Sequence, residues 1–262
     1  MLKNLISKSV KKNLKQNKRI PKISTRGFYD LSNGKTKKNQ GYILQPKNLL
    51  DVLKHTNEIT IMIHGLRNNE SGASAKFQIA QKRLKDLDYH FPIIGFSYDS
   101  NTKGVQYRSC EKHATKVGIK IAKKNGKNLA RFVTDMKRNS PSIKIRLMGH
   151  SLGSQVILST LEELKNRQFI QAAYVFGASI PSDSLVQKKY RNIINNTIKE
   201  KFVNYYSKFD DVLKYAFEQE LIPKPLGYSG INTKTVAKYS QKHVHPKNHR
   251  FISYAKTIKS YP

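Results

Sequence analysis

Ser151 stands in the run Gly149-His150-Ser151-Leu152-Gly153, preceded by Ile145-Arg146-Leu147-Met148 and followed by Val156-Ile157-Leu158. A strand, a sharp turn bounded by glycines and an apolar-periodic helix form the setting in which a serine hydroxyl becomes a nucleophile. The turn holds Ser151 in a strained conformation, and Gly149 and Gly153 let neighbouring backbone close in where a Cβ would clash. The helix start adds backbone N–H groups and a positive dipole end where an oxyanion would develop. Such a serine needs a base, and the base needs an acid to orient it. Val203-Asn204-Tyr205-Tyr206-Ser207-Lys208-Phe209-Asp210-Asp211 is a strand running into an acidic pair. Asp210, first after the strand, is the expected acid, and Asp211 is its alternative or a first-turn helix carboxylate. The base is sought among His243, His245 and His249 in the Lys-rich stretch before Phe251. His249 is favoured, because it directly precedes the apolar-periodic Phe251, Ile252, Tyr254, Ala255 and Ile258, a helix that would fix its position. His243 and His245 lack a Cys or acid at ligand spacing, so no metal site and no cofactor are expected.

The oxyanion donors should be backbone amides. Ile59 to Ile63 ends in His64-Gly65-Leu66, and the Leu66 N–H, partnered by that of Leu152, is expected to fill this role. His64 itself is expected to be structural. Arg67 could meet an anionic group or solvent.

These residues must be positioned by alternating strands and helices. Short β-branched or aromatic runs at Glu58–His64, Phe91–Tyr98, Lys144–Met148, Ala172–Phe176 and Lys201–Tyr206 read as strands. Between them, Ala75–Leu87, Glu111–Lys137, Gly153–Lys165, Ser184–Asn196 and Val212–Leu221 read as helices, with Gly126 a place where the longest could kink or divide. This predicts an α/β fold with a mostly parallel central sheet, helices on both faces and no large cap domain. No exposed apolar lid helix is expected. The stretch from Ile222 to Ser240 is expected to shape the substrate pocket. A Gly-rich phosphate fingerprint is missing, because Gly65-Leu66-Arg67-Asn68-Asn69 lacks the further glycines.

Composition bounds the function. With 38% hydrophobic residues in 262, wholesale disorder is excluded. Lys plus Arg number 49 against 17 Asp plus Glu, a formal charge of +32, which attracts anionic lipid, nucleic acid or anionic substrates without choosing among them. Residues 1–40 hold 12 of the basic side chains and one acid, Asp30, and are expected to be a flexible basic arm, with folding from 41 to 262. Phe28 and Tyr29 are the arm's candidates for stacking on bases. Leu2, Leu5, Ile6, Val10 and Leu14 lie at helical spacing on this arm, a pattern shared with organelle transit peptides. A single cysteine, Cys110, points to a reducing compartment. No apolar run approaches the length of a membrane span, and a cytoplasmic location is expected.

The order Ser151, Asp210, His249 is the order of nucleophile, acid and base in α/β hydrolases, and the chain resembles that superfamily from about residue 57 to 251. The resemblance is carried by IMIHGL at 61–66, GFSYD at 95–99, GHSLG at 149–153, VFGAS at 175–179, NYYSKFDDVL at 204–213 and the terminal histidine. It is most similar to lipase-like and esterase-like intracellular members. What this implies is a serine hydrolase of a carboxylic ester or related acyl bond, acting through an acyl-enzyme on a small-molecule or lipid ester, with an anionic substrate suited to the charge. Acyl transfer to an acceptor other than water would use the same residues. The alternative is a non-catalytic scaffold of this fold that binds nucleic acid or anionic membrane through its basic surface.

Overall fold

The computed structural model describes residues 20–38, 41–231 and 236–262. In chain order they form β1 (Lys22–Ser24), β2 (Ile43–Gln45), α1 (Leu49–Leu53), β3 (Glu58–Ile63), α2 (Glu70–Lys85), β4 (Ile93–Ser97), α3 (Arg108–Asn139), β5 (Lys144–His150) and α4 (Gly153–Leu164). There follow β6 (Ile170–Phe176), a 3₁₀ turn (Ser182–Leu185), α5 (Lys188–Thr197), β7 (Ile198–Tyr206), α6 (Asp211–Glu218), α7 (Leu226–Ser229), β8 (Tyr239–His243) and α8 (Phe251–Ala255).

The eight strands make one sheet in the order β2-β1-β4-β3-β5-β6-β7-β8. Every neighbouring pair is parallel except β1 with β2. Because strand side chains alternate, the central strands feed two separate cores. Ile61, Leu147, Ala173 and Val175 pack with Val117, Ile121, Leu129, Val156 and Leu161 of α3 and α4 on one face. Met62, Met148, Tyr174 and Phe176 pack with Phe77 and Leu84 of α2 and Phe251 and Tyr254 of α8 on the other. This is the expected mostly parallel sheet with helices on both faces.

Three expectations need correction. The fold does not begin at Gly41. β1 pairs with β4, Ile23 against Phe96, and Ile23 is fully buried. Phe28 and Tyr29 are 1% and 6% exposed, so they are core residues and unavailable to stack on bases. A three-residue strand in a Lys-rich context carries too little periodicity to stand out from a solvated arm. The helical spacing at Leu2 to Leu14 lies outside the described residues. Gly126 does not divide α3, which runs unbroken for 32 residues. Its role is close approach: a Cβ there would lie 2.4 Å from the Ser159 Cβ and 2.6 Å from the Ser159 carbonyl carbon, so α4 can lie directly against the helix. Finally, Tyr239–His243 is an edge strand where a loop was expected. Its residues are largely exposed and polar, including Lys242, the composition that protects an edge from further pairing.

Candidate active site

Ser151 lies at the end of β5, where the chain turns into α4, with φ at +53°. That left-handed conformation is costly for a non-glycine residue and is held by what surrounds it. A Cβ on Gly153 would come within 2.5 Å of the Ile63 carbonyl oxygen, and one on Gly65 within 2.9 Å of the Ser151 Cβ. Glycine at both positions therefore lets the end of β3 sit directly against the turn. Gly149 is equally confined, with the Gly153 carbonyl carbon 3.1 Å from where its Cβ would stand.

The structure brings Ser151, Asp210 and His249 together. The Ser151 hydroxyl is 2.9 Å from His249 Nε2, and His249 Nδ1 is 2.7 Å from Asp210 Oδ2. The hydroxyl can donate to Nε2 while Nδ1–H donates to the carboxylate. Asp210 caps α6, its Oδ1 accepting the Leu213 N–H at 3.0 Å. Burial alone would raise its pKa, but bonds from His249, Tyr254 and the Leu213 amide outweigh this and hold the carboxyl below its ordinary range. Asp211 instead begins α6 and lines the cavity described below. His243 and His245 pack on each other, ring centroids 4.8 Å apart, and on Phe209.

Two supports of this group escaped the sequence. Tyr254 Oη donates to Asp210 Oδ2 at 2.6 Å, the oxygen that His249 also uses. Its place in an apolar helical pattern marked it as core, and only the fold aims its hydroxyl at a carboxylate. His150 is buried, and its Nε2–H donates to the His249 carbonyl oxygen at 2.7 Å. Burial and the neighbouring His249 depress its pKa well below the ordinary value, so it is a neutral strut between the elbow and the loop that carries His249. No spacing rule points to that contact.

On the other side of Ser151, the Gly65–Leu66 peptide is held by its carbonyl. His64 Nδ1–H donates to the Gly65 oxygen at 2.9 Å, and so does the Asn68 side-chain amide at 2.9 Å. In a planar trans peptide the Leu66 N–H must then point the opposite way. His64 Nε2 accepts the Tyr98 N–H at 3.2 Å, and its ring stacks on that of Tyr98. Burial first, then the charge of Arg26, push the His64 pKa down to about 3, so the tautomer with hydrogen on Nδ1 is maintained. Arg26 lies beneath this loop. Its Nη2 donates to the Asn68 and Asn69 carbonyls at 3.2 and 3.0 Å, and its Nε to Ser97 Oγ at 2.7 Å. Among the described residues, none accepts a hydrogen bond from the Leu66 or Leu152 amide.

A cavity of about 330 Å³ opens from Ser151 and His249. Leu66, Leu152, Ile119 of α3, and Val212, Leu213 and Ala216 of α6 are apolar residues of its wall. Of the stretch from Ile222 to Ser240 expected to shape it, Ile222 is the lining residue among those described. Its border is polar: Glu111 binds Arg67 through one carboxylate oxygen and takes the Tyr215 hydroxyl on the other at 3.1 Å. Beside it α6 leaves Val212 and Phe217 exposed, as is Phe209 just ahead of the helix, where no exposed apolar helix was expected. No described helix is long and apolar enough to cross a membrane.

A family model described as an alpha/beta hydrolase of unknown function (DUF900) matches residues 45–220. That span takes in Leu66, Ser151 and Asp210 and stops before His249. No curated protein matches. Similar solved structures include a lipase-esterase related protein from Clostridium acetobutylicum ATCC 824, 14% identical over 78% of this chain and 92% of that one, with a TM-score of 0.42. A cutinase-like protein from Cryptococcus sp. is 11% identical over 77% and 87%, with a TM-score of 0.37. The catalytic core of an acetyl xylan esterase from Trichoderma reesei is 9% identical over 72% and 82%, with a TM-score of 0.36.

Proposed function

The chain belongs to that α/β-hydrolase family, and we propose that it is a serine hydrolase cleaving a carboxylic ester through an acyl-enzyme. The observation that carries this is the unbroken hydrogen-bond chain from Ser151 through His249 to Asp210. In the first half-reaction Ser151 Oγ attacks the acyl carbon and its proton passes to His249 Nε2. Asp210 holds the imidazole by Nδ1 and offsets its positive charge. The oxygen of the tetrahedral intermediate takes the Leu66 and Leu152 amides, whose N–H groups no described residue engages. Collapse expels the alcohol, which leaves with the proton from Nε2. In the second half-reaction a water gives its proton to Nε2 and attacks the acyl carbon. The acid is released, and Ser151 Oγ recovers the proton.

The test is labelling of the purified protein by a fluorophosphonate probe, with Ser151→Ala, Asp210→Asn and His249→Ala alongside. Labelling of the wild type that vanishes in Ser151→Ala and falls sharply in the other two is the expected result. A folded wild type that takes no label overturns the proposal.

A further inference from the structure

We propose that the cavity beside Ser151 is an acyl pocket for an uncharged aliphatic chain of about eight to ten carbons, with Ile119 and Ala216 setting the length. This rests on the serine-hydrolase proposal and goes beyond it by naming the class of substrate.

The first consideration is charge. The chain carries a net +32, yet among the described residues the lining of this cavity contains Arg67 and no lysine, and Arg67 is ion-paired with Glu111. Both oxygens of Glu111 are engaged, one by Arg67 and one by Tyr215. Asp211, the other acid on the lining, would repel an anionic chain. A carboxylate or phosphate inside the pocket would therefore be desolvated against mostly apolar wall, and the one guanidinium on that wall, Arg67, is already neutralised by Glu111. Among the described residues the charge of the molecule does not extend to this lining, and the expectation of an anionic group belongs to the part of a substrate outside the pocket.

The second consideration is size. At about 30 Å³ for each water-sized unit, 330 Å³ holds about eleven such units, which an unbranched chain of eight to ten carbons nearly fills. Ile119 of α3 and Ala216 of α6 both line this space. Ala216 contributes only a methyl group, so the room depends on its smallness.

The third is which half of the ester enters. The alcohol must leave while the acyl group is still bonded to Ser151, and the acyl group must stay dry until water attacks. A cavity that begins at Ser151 and is bordered by the Arg67–Glu111–Tyr215 bridge suits the group that remains attached.

The experiment is a kcat/KM series on p-nitrophenyl acyl esters from two to sixteen carbons, with wild type, Ala216→Phe and Ile119→Ala. The expected profile rises about fourfold per added methylene to an optimum at eight to ten carbons and falls beyond it. Ala216→Phe should move the optimum to four carbons or fewer, and Ile119→Ala should move it to longer chains, so either variant suffices if the other does not fold. Three results would overturn the pocket: an optimum at the acetyl ester, a preference for a succinyl over a hexanoyl ester, or a length preference found only when the alcohol of an acetate ester is varied. Fluorophosphonate labelling of Ser151 separates the two levels. A labelled enzyme with any of these profiles removes the pocket assignment alone, whereas an unlabelled one removes the hydrolase proposal beneath it.

Discussion

On one side of Ser151 the protein presents side chains: His249, Asp210 and Tyr254 in a line of hydrogen bonds. On the other it presents backbone, the Leu66 amide, aimed by His64, Asn68 and Arg26 acting on carbonyl oxygens. In the proposed reaction the first side moves a proton, which needs groups that titrate. The second would hold the developing charge, which needs dipoles that do not move. Their supports differ accordingly. The relay is braced at the acid by Tyr254 and at the base by a neutral His150, while the oxyanion loop is braced from beneath by a segment far upstream in the chain. The residue proposed to react is thus distinguishable from one that orients, even though both are histidines. His249 bonds through both nitrogens to side chains, the Ser151 hydroxyl and the Asp210 carboxylate, whereas the shortest bond of each His64 nitrogen is to backbone.

The widest break in this comparison is on the relay side. Ser151→Ala and His249→Ala should each lower kcat by about 10⁶, and the double variant should be no worse than either alone, because the two act as one unit. Asp210→Asn should cost about 10⁴, since an amide at that position can favour the wrong imidazole tautomer. Steady-state rates on a p-nitrophenyl ester check all three, and additive losses in the double variant would show that the residues work independently.

The oxyanion side should give way less. Arg26→Met removes donors to the Asn68 and Asn69 carbonyls without touching substrate, so kcat should fall about 10-fold to 100-fold, at or below the outright loss of one oxyanion donor, with KM little changed. Arg26→Lys should recover only part, because one ammonium cannot span both carbonyls and Ser97 Oγ. An equal rise in KM, or a loss mirrored in thermal stability alone, would make Arg26 a purely structural residue.

Those two sides were unequally legible in the sequence. Ser151, Asp210 and His249 could be named because each has a local signature: a glycine-bounded turn after a strand, an acid at a strand's end, a histidine ahead of an apolar helix. The strands β3 to β7 were legible from runs such as Ile59–Ile63 and Ala172–Phe176, whose β-branched and aromatic residues are buried on both faces, although their order in the sheet was not. Arg26 had no signature. It lies in a stretch where twelve basic residues out of forty looked like solvated charge, and what distinguishes it is a hydrogen-bond geometry reaching more than forty residues along the chain. Tyr254 and His150 were hidden for a related reason: periodicity says that a residue is buried but not where its polar atom points.

The buried histidines also separate the two sides by pH. In the fold His64 has a pKa near 3 and His150 one well below 6.5, both chiefly through burial, whereas in the unfolded chain each titrates near 6.5. Below pH 6.5 the unfolded chain therefore binds protons that the native state refuses, and stability must fall as pH drops, until about pH 3 for His64. At pH 5 the contribution of His64 is about 2 kcal/mol, and that of His150 has the same sign. Urea unfolding of wild type and His64→Asn at pH 7.5 and pH 5 isolates one of them: the stability advantage of the wild type should shrink by about 2 kcal/mol over that interval. An advantage that stays constant would mean that His64 is protonated in the native state, which its acceptance of the Tyr98 N–H forbids.

The smallest effect should be at Tyr254. Removing its hydroxyl takes one of three donors from Asp210 and leaves the bonds from His249 and Leu213, so the carboxylate remains ionised and oriented. Tyr254→Phe should cost less than tenfold in kcat/KM at pH 7.5 and about 1.5 kcal/mol in stability, the lower end for a bond to a charged group. The pH dependence gives its signature. Asp210 is held below its ordinary pKa of 3.8, so its share of stability is present above that value and is lost as pH falls through the lower native one. With one donor gone the native pKa moves back up towards 3.8, so the acid loss of stability should be smaller and should level off at a higher pH than in wild type, from the same onset. A variant whose acid limb superimposes on that of the wild type would show that the Tyr254 hydroxyl only fills space, and that His249 and the α6 cap suffice to hold Asp210.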